Sequence, residues 1–250
     1  MVNQLPVYLF TGFLEGGKTH IIQESMEDKR FNSGEKTLII MCEEGIEELD
    51  LDRFWGKNVY LEIIENEEDI TKEYLTSLGK KHRLDRVIIE YNGMWTLDSF
   101  YNALPENWMV YQEVFVCDST TANIYNSNMR SLMVDKLSSC EMAVFNRVTP
   151  ETDKMMLHKL VRGISRKANI CYEDTEGEIE FDQIEDPLPF DINADVINIE
   201  APASAIVEVY SVDGRMLVSL PAISVSDDSA LRTLDVNNFA TGVYLVNIAT

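Results

Sequence analysis

The chain is predicted to be an α/β protein: a mainly parallel sheet with helices on both faces, followed by a small C-terminal all-β domain. Up to about Asn193, short β-branched runs alternate with amphipathic stretches, and the runs are apolar throughout rather than at every second position. That is the pattern of strands buried on both faces. Beyond that point only strand-like runs remain. The third observation is bulk composition. At 250 residues, 45% hydrophobic and 26% charged, the chain can bury a core without disulfide or metal staples and is not wholesale disordered.

The strands expected in the first part are VYLF (7–10), TLIIMC (37–42), VYLEII (59–64), RVIIEY (86–91), EVFVCD (113–118), MAVFN (142–146) and NICYE (169–173). Helical periodicity predicts Thr71–Lys81, Ala122–Ser138 and Glu151–Arg166 between them. Residues 173–191 are acidic, and Pro187 and Pro189 block a helix there. The tail then offers VINI (196–199), AIVEVY (205–210), MLVSL (216–220), LRTLDV (231–236) and GVYLVNIA (242–249). Asp213-Gly214 is a hairpin-turn signal, because such turns demand positive φ. Two domains are expected, 1–192 and 193–250.

Acidic residues outnumber basic ones 43 to 21, a formal charge of −22. A chain this anionic repels phosphate backbones and anionic lipid, so no nucleic-acid partner is expected. One local anion site built from backbone amides and a lysine stays compatible with it. No apolar run approaches a membrane span, and Met1–Phe10 lacks a basic segment ahead of its apolar stretch. Neither a membrane span nor a standard signal peptide is expected, and the location expected is cytoplasmic. Cys42, Cys117, Cys140 and Cys171 are widely spaced without a CxxC pair, which reads as buried reduced thiols.

The sharpest local signal is Gly12-Phe-Leu-Glu15-Gly16-Gly17-Lys18-Thr19, which satisfies GxxxxGK[ST] between a strand and a helix. Glycines let the backbone wrap a phosphate with its amides inward. The helix adds its positive end, Lys18 is expected at the β/γ-phosphates, and Thr19 at magnesium. Glu15 and Gly16 lie inside this loop, and the Glu15 side chain should point outward. His20, directly after Thr19, is counted with the nucleotide-binding residues of the loop; it reads as a helix residue facing sheet or solvent, with no catalytic role. Downstream, the strand of Asp85–Tyr91 ends in Glu90-x-x-Gly93. Glu90 is placed to hold magnesium through water, and the Gly93 amide to meet the γ-phosphate. Asn146 and Arg147 follow the run MAVF; Asn146 either braces the phosphate loop or reaches a base, and Arg147 stacks its stem on the base.

With LPVYLFTGFLEGGKT, IIEYNG, VFVCDSTT and FNRVT in order, residues from about 5 to 180 resemble the CobW/HypB/UreG-type P-loop GTPases, nearest the CobW branch. The segment MCEEGIEELD resembles that family's switch segment, with Glu43, Gly45 and Asp50 in step. The resemblance implies a protein that binds GTP and Mg2+, has low intrinsic turnover and works in metal or metallo-cofactor handling, with a metalloprotein or cofactor-assembly client. Lys18 and Glu90 are the expected catalytic residues. Thr19, Glu43, Asp50 and Glu90 are the candidate magnesium ligands. Glu90, Glu43 and Asp50 are also the candidates for positioning water. Glu44, Glu47 and Glu48 are switch candidates as well, although an acidic run is usually a solvated face.

Two departures stand out. The CxCC motif of metal-trafficking CobW proteins is replaced by the cysteine-free NVYLEIIENEEDIT, and Thr149 stands where NKxD supplies the guanine-binding aspartate. One hydroxyl cannot accept two charge-assisted bonds, which relaxes guanine preference. Asp153 lies four residues on. The tail, through VYSVDGRMLVSL and Phe239-Ala-Thr-Gly-Val-Tyr244, is similar to the C-terminal sorting domain of type IX secretion substrates. The alternative readings are a nucleotide-binding module without significant hydrolysis or guanine specificity, and a composite chain with an unrelated β tail.

Overall fold

The structure is a computed structural model that describes residues 4–43, 45, 48–184, 190–193, 196–211, 215–222, 229–235 and 244–249. The chain divides into two compact units, Met1–Ile184 and Glu185–Thr250. The division falls before Phe190–Asn193 because that strand pairs antiparallel with Val196–Ile199.

In the first unit the strands are β1 (Leu5–Thr11), β2 (Thr37–Met41), β3 (Val59–Ile63), β4 (Arg86–Glu90), β5 (Trp108–Asp118), β6 (Met142–Val148), β7 (Asn169–Asp174) and β8 (Ile179–Phe181). They form one sheet in the order β3-β2-β4-β1-β5-β6-β7-β8. Every pairing is parallel except β7 with β8. The helices are α1 (Lys18–Glu27), α2 (Lys72–His82), α3 (Leu97–Ala103), α4 (Ala122–Asn128), α5 (Arg130–Ser139) and α6 (Lys154–Arg162). The pleat sends successive side chains to opposite faces. Val7, Leu9, Leu38 and Ile40 accordingly pack with Leu75, Leu78 and Phe100 of α2 and α3. Phe10, Ile39 and Ile88 pack with Ile22 and Met26 of α1 on the other face. Phe115, Ala143 and Phe145 join Met133, Leu137, Leu157 and Val161 of α5 and α6. The expected α/β architecture is the one observed.

Two local differences have physical causes. The single helix expected over 122–138 is broken at Met129 (φ −131, ψ 41), after the poor helix formers Asn126-Ser127-Asn128. The acidic segment carries β8, an exposed antiparallel edge strand on β7.

All four cysteines are free and buried. Burial pushes Cys42, Cys117 and Cys140 up to about 12 and Cys171 to about 11. No helix among the described residues is long and apolar enough to cross a membrane.

The second unit holds β9 (Phe190–Asn193), β10 (Val196–Pro202), β11 (Ile206–Ser211), β12 (Met216–Leu220), β13 (Ser229–Asp235) and β14 (Tyr244–Ala249). They form two antiparallel three-stranded sheets, β13-β10-β9 and β12-β11-β14. Ile199 and Ala201 of one sheet meet Val207 of the other in a small core, as in a sandwich. The Arg232 guanidinium is buried and donates to the carbonyls of Ala201, Pro202, Ala203 and Ala205 at 2.8–3.4 Å. Pro187 and Pro189, the Asp213-Gly214 turn and residues 236–243 of the sorting-like motif lie outside the described residues.

Candidate functional site

The strand order places β1 between β4 and β5, so the chain leaving β1 emerges between the C-terminal ends of two neighbours. That crevice is where open α/β sheets bind ligands. The turn from β1 into α1 depends on left-handed backbone at Gly12 (φ +130), Glu15 (φ +57) and Gly17 (φ +91). A Cβ on Gly17 would lie 2.0 Å from Asn146 Nδ2, and one on Gly12 would lie 2.0 Å from the Val116 carbonyl oxygen. Glycine is therefore required at both positions on conformational and steric grounds. Asn146 donates from Nδ2 to the Gly16 carbonyl at 2.8 Å, bracing the loop from β6.

Lys18 is buried at the centre of the loop. Its Nζ donates to the carbonyls of Gly12 (3.2 Å) and Phe13 (2.9 Å) and pairs with Glu43 Oε2 at 2.5 Å. The other oxygen of Glu43 accepts from the Gly93 amide at 3.3 Å. One carboxylate thus bridges the two groups the sequence assigns to a terminal phosphate. The Thr19 hydroxyl donates to both oxygens of Glu90 at 3.0 and 3.1 Å. Hydroxyl and carboxylate are hard oxygen donors, a set that suits magnesium. Leu14, Glu15, Gly16, Gly17, Lys18, Thr19, Glu43, Gly45, Glu90 and Arg147 line a cavity of about 150 Å³.

Arg147, also at positive φ (+54), reaches the Glu15 carbonyl at 3.2 Å and Asp118 Oδ2 at 2.5 Å. Asp118, at the end of β5 within VFVCDSTT, is a site residue that the sequence does not single out. Its partial burial works to raise its pKa. Hydrogen bonds from Thr120 and Arg147 outweigh that and hold the carboxyl below the ordinary range.

Two of the predicted residues are not brought to the cup. His20 is one residue past Thr19, and the helical turn swings its ring toward Glu24 and Glu173. Asp50 is exposed on a turn tied by its backbone to Gln23, and its carboxylate accepts from the Asp52 amide. The Glu15 side chain is exposed, so its backbone and not its carboxylate shapes the loop. Glu48 is exposed, and Glu44 and Glu47 lie outside the described residues. Thr149 is held by its own turn, its amide donating to the Thr152 hydroxyl at 3.0 Å. Asp153 caps α6 by accepting from the Met156 amide at 2.9 Å.

Fold and loop together define a P-loop nucleotide-binding protein. Residues 6–171 match the model of the CobW/HypB/UreG nucleotide-binding domain, so the chain belongs to the CobW/HypB/UreG family, a P-loop GTPase class. Among solved structures it is similar to the Zn(II)-bound YjiA GTPase from E. coli (TM-score 0.55, 16% identity, spanning 99% of this chain and 94% of that one). It is also similar to the hydrogenase maturation factor HypB from Archaeoglobus fulgidus (TM-score 0.51, 16% identity, 70% and 83%). At such identity these likenesses show the fold. No curated protein matches the sequence.

Residues 193–250 match the secretion system C-terminal sorting domain. This corrects the expected cytoplasmic location, because such a tail marks a protein exported by type IX secretion. The expectation rested on the first residues, whereas the address lies in the β tail.

Proposed function

We propose that the chain is a GTP-binding switch that uses Mg2+ and hydrolyses GTP slowly, in metal or metallo-cofactor handling. The observation that carries the reading is the phosphate cup, with Lys18 buried at its centre and Thr19 on Glu90 beside it. The loop amides and Lys18 would hold the β- and γ-phosphates and absorb charge as the terminal phosphoryl is displaced in line. Thr19 and Glu90 would hold magnesium, which when bound neutralises charge on the phosphate oxygens. Glu43 would leave Lys18 and Gly93 as the γ-phosphate takes those donors, which couples the switch segment to the nucleotide. That the similar structures include a Zn(II)-bound GTPase, YjiA, and a hydrogenase maturation factor, HypB, supports a metalloprotein or assembly client.

One observation favours a second reading, nucleotide binding without guanine specificity. Thr149 carries no carboxylate, and Asp153 spends its Oδ1 on capping α6, so the position that NKxD fills with a guanine-binding acid holds none. Competition of GTP and ATP against a fluorescent nucleotide, with and without Mg2+, separates the readings. Preferential displacement by GTP and Mg2+-dependent phosphate release above a Lys18→Ala control support the first. Equal displacement supports the second, and displacement by neither removes both.

A further inference from the structure

His20 and Glu24 sit one turn apart on α1, so their side chains share a face. That face meets Glu173 of β7, which is 3% exposed. His20 Nε2 lies 3.5 Å from Glu24 Oε1 and 3.8 Å from Glu173 Oε1, and one donor atom from each residue falls within 4.8 Å of the others. The second, independent observation is on Glu173 itself: its Oε2 is buried and accepts no hydrogen bond among the described residues. A carboxylate oxygen left so carries an uncompensated desolvation cost, and native structures seldom leave one without cause.

We propose that His20, Glu24 and Glu173 form a binding site for a divalent transition-metal ion of zinc-like chemistry. The donor set decides the class. An imidazole nitrogen with two carboxylates suits a borderline metal such as Zn2+ or Co2+, whereas Mg2+ prefers oxygen donors throughout. The spacing agrees. Two donors at about 2.1 Å from a tetrahedral ion lie about 3.4 Å apart, so the two separations from His20, 3.5 and 3.8 Å, need to close by only a few tenths of an ångström. His20 and Glu24 can make that adjustment, since both side chains are 49% exposed. The cation would also answer the local charge problem. Burial raises the Glu173 pKa, neighbouring Glu24 raises it further, and His20 lowers it. Three protein ligands leave a fourth position open, as in sites that exchange ligands.

The site is distinct from the phosphate cup, and its place on α1, which begins with Lys18 and Thr19, puts it on the element that carries both. It gives the metal-handling part of the proposed function a donor set that does not need the missing cysteines, and the two readings fail separately. The test titrates the full-length chain with Co2+ and reads ligand-field absorption, then measures Zn2+ by competition with a chromophoric chelator. The wild-type chain is expected to take one equivalent with a tetrahedral-type band. His20→Ala and Glu173→Gln should each weaken Zn2+ by more than about tenfold, the loss that even outer-shell changes produce. Lys18→Ala should keep the band while losing nucleotide. His20→Ala alters an exposed side chain, so its loss of metal cannot be blamed on unfolding. A wild-type chain without stoichiometric Co2+ or Zn2+ binding, or a His20→Ala chain that binds both unchanged, overturns the site. Failure of nucleotide binding with the Co2+ band intact would overturn only the switch.

Discussion

Replacing Glu43 with Gln should strengthen triphosphate binding when magnesium is withheld. The Glu43 carboxylate pairs with Lys18 at 2.5 Å and takes the Gly93 amide at 3.3 Å, with side-chain exposures of 7% for Glu43 and 1% for Lys18. A terminal phosphate reaching both donors must displace it. A buried charge-assisted hydrogen bond contributes about 1.5–3 kcal/mol. Gln keeps the shape and one acceptor but removes the charge, so triphosphate affinity should rise about 10- to 100-fold. Lys18 keeps the carbonyls of Gly12 and Phe13, so the fold of the loop should survive. A diphosphate leaves the Gly93 amide to residue 43 and should gain less. With Mg2+ the gain should shrink, because Glu43 is also a candidate ligand. Displacement of a fluorescent nucleotide in EDTA, with circular dichroism to check folding, measures the effect. Equal or weaker triphosphate binding by the Gln variant would refute the competition.

Gly17→Ala forces a Cβ onto Asn146 at φ +91, so nucleotide affinity should fall at least about tenfold; unchanged affinity by calorimetry would contradict the account of the loop. Glu113 is buried beneath Tyr101 and Ser139, and burial raises its pKa to about 7. A folded-state pKa above the unfolded value binds protons in the fold, so its contribution is complete below about pH 4.5 and fades as pH rises through 7, by about 3 kcal/mol. Glu113→Gln should remove that slope, read as urea midpoints at pH 5 and pH 8; an unaltered slope would rule it out. Arg232→Leu strips four carbonyls in the tail of their shared donor and should cost that unit about 2–3 kcal/mol, lowering its melting by roughly 10 °C in scanning calorimetry. An unshifted tail transition would show that the guanidinium contributes nothing net.

Features governed by local physics are legible along the chain. Continuous apolar runs announced two-faced strands, and the expected segments match β1 to β7 within a few residues, β5 beginning earlier at Trp108. The glycine spacing announced a loop that wraps a phosphate, and the structure gives Gly12 and Gly17 left-handed backbone there, where no side chain fits. The break at Met129 and the edge strand Ile179–Phe181 were not legible, since propensity yields to packing where periodicity is weak.

Which charges meet is a matter of three-dimensional packing. The strand order brings Glu43 onto Lys18 and Gly93, Asp118 onto Arg147, and Glu173 onto a helix that begins at Lys18. It also moves His20 and Asp50 out of the cup. Spacing along a chain fixes neighbours within one helix or strand, but pairing between elements depends on sheet order and on which face each side chain leaves. Those are set by how the whole core packs, and no single segment encodes them.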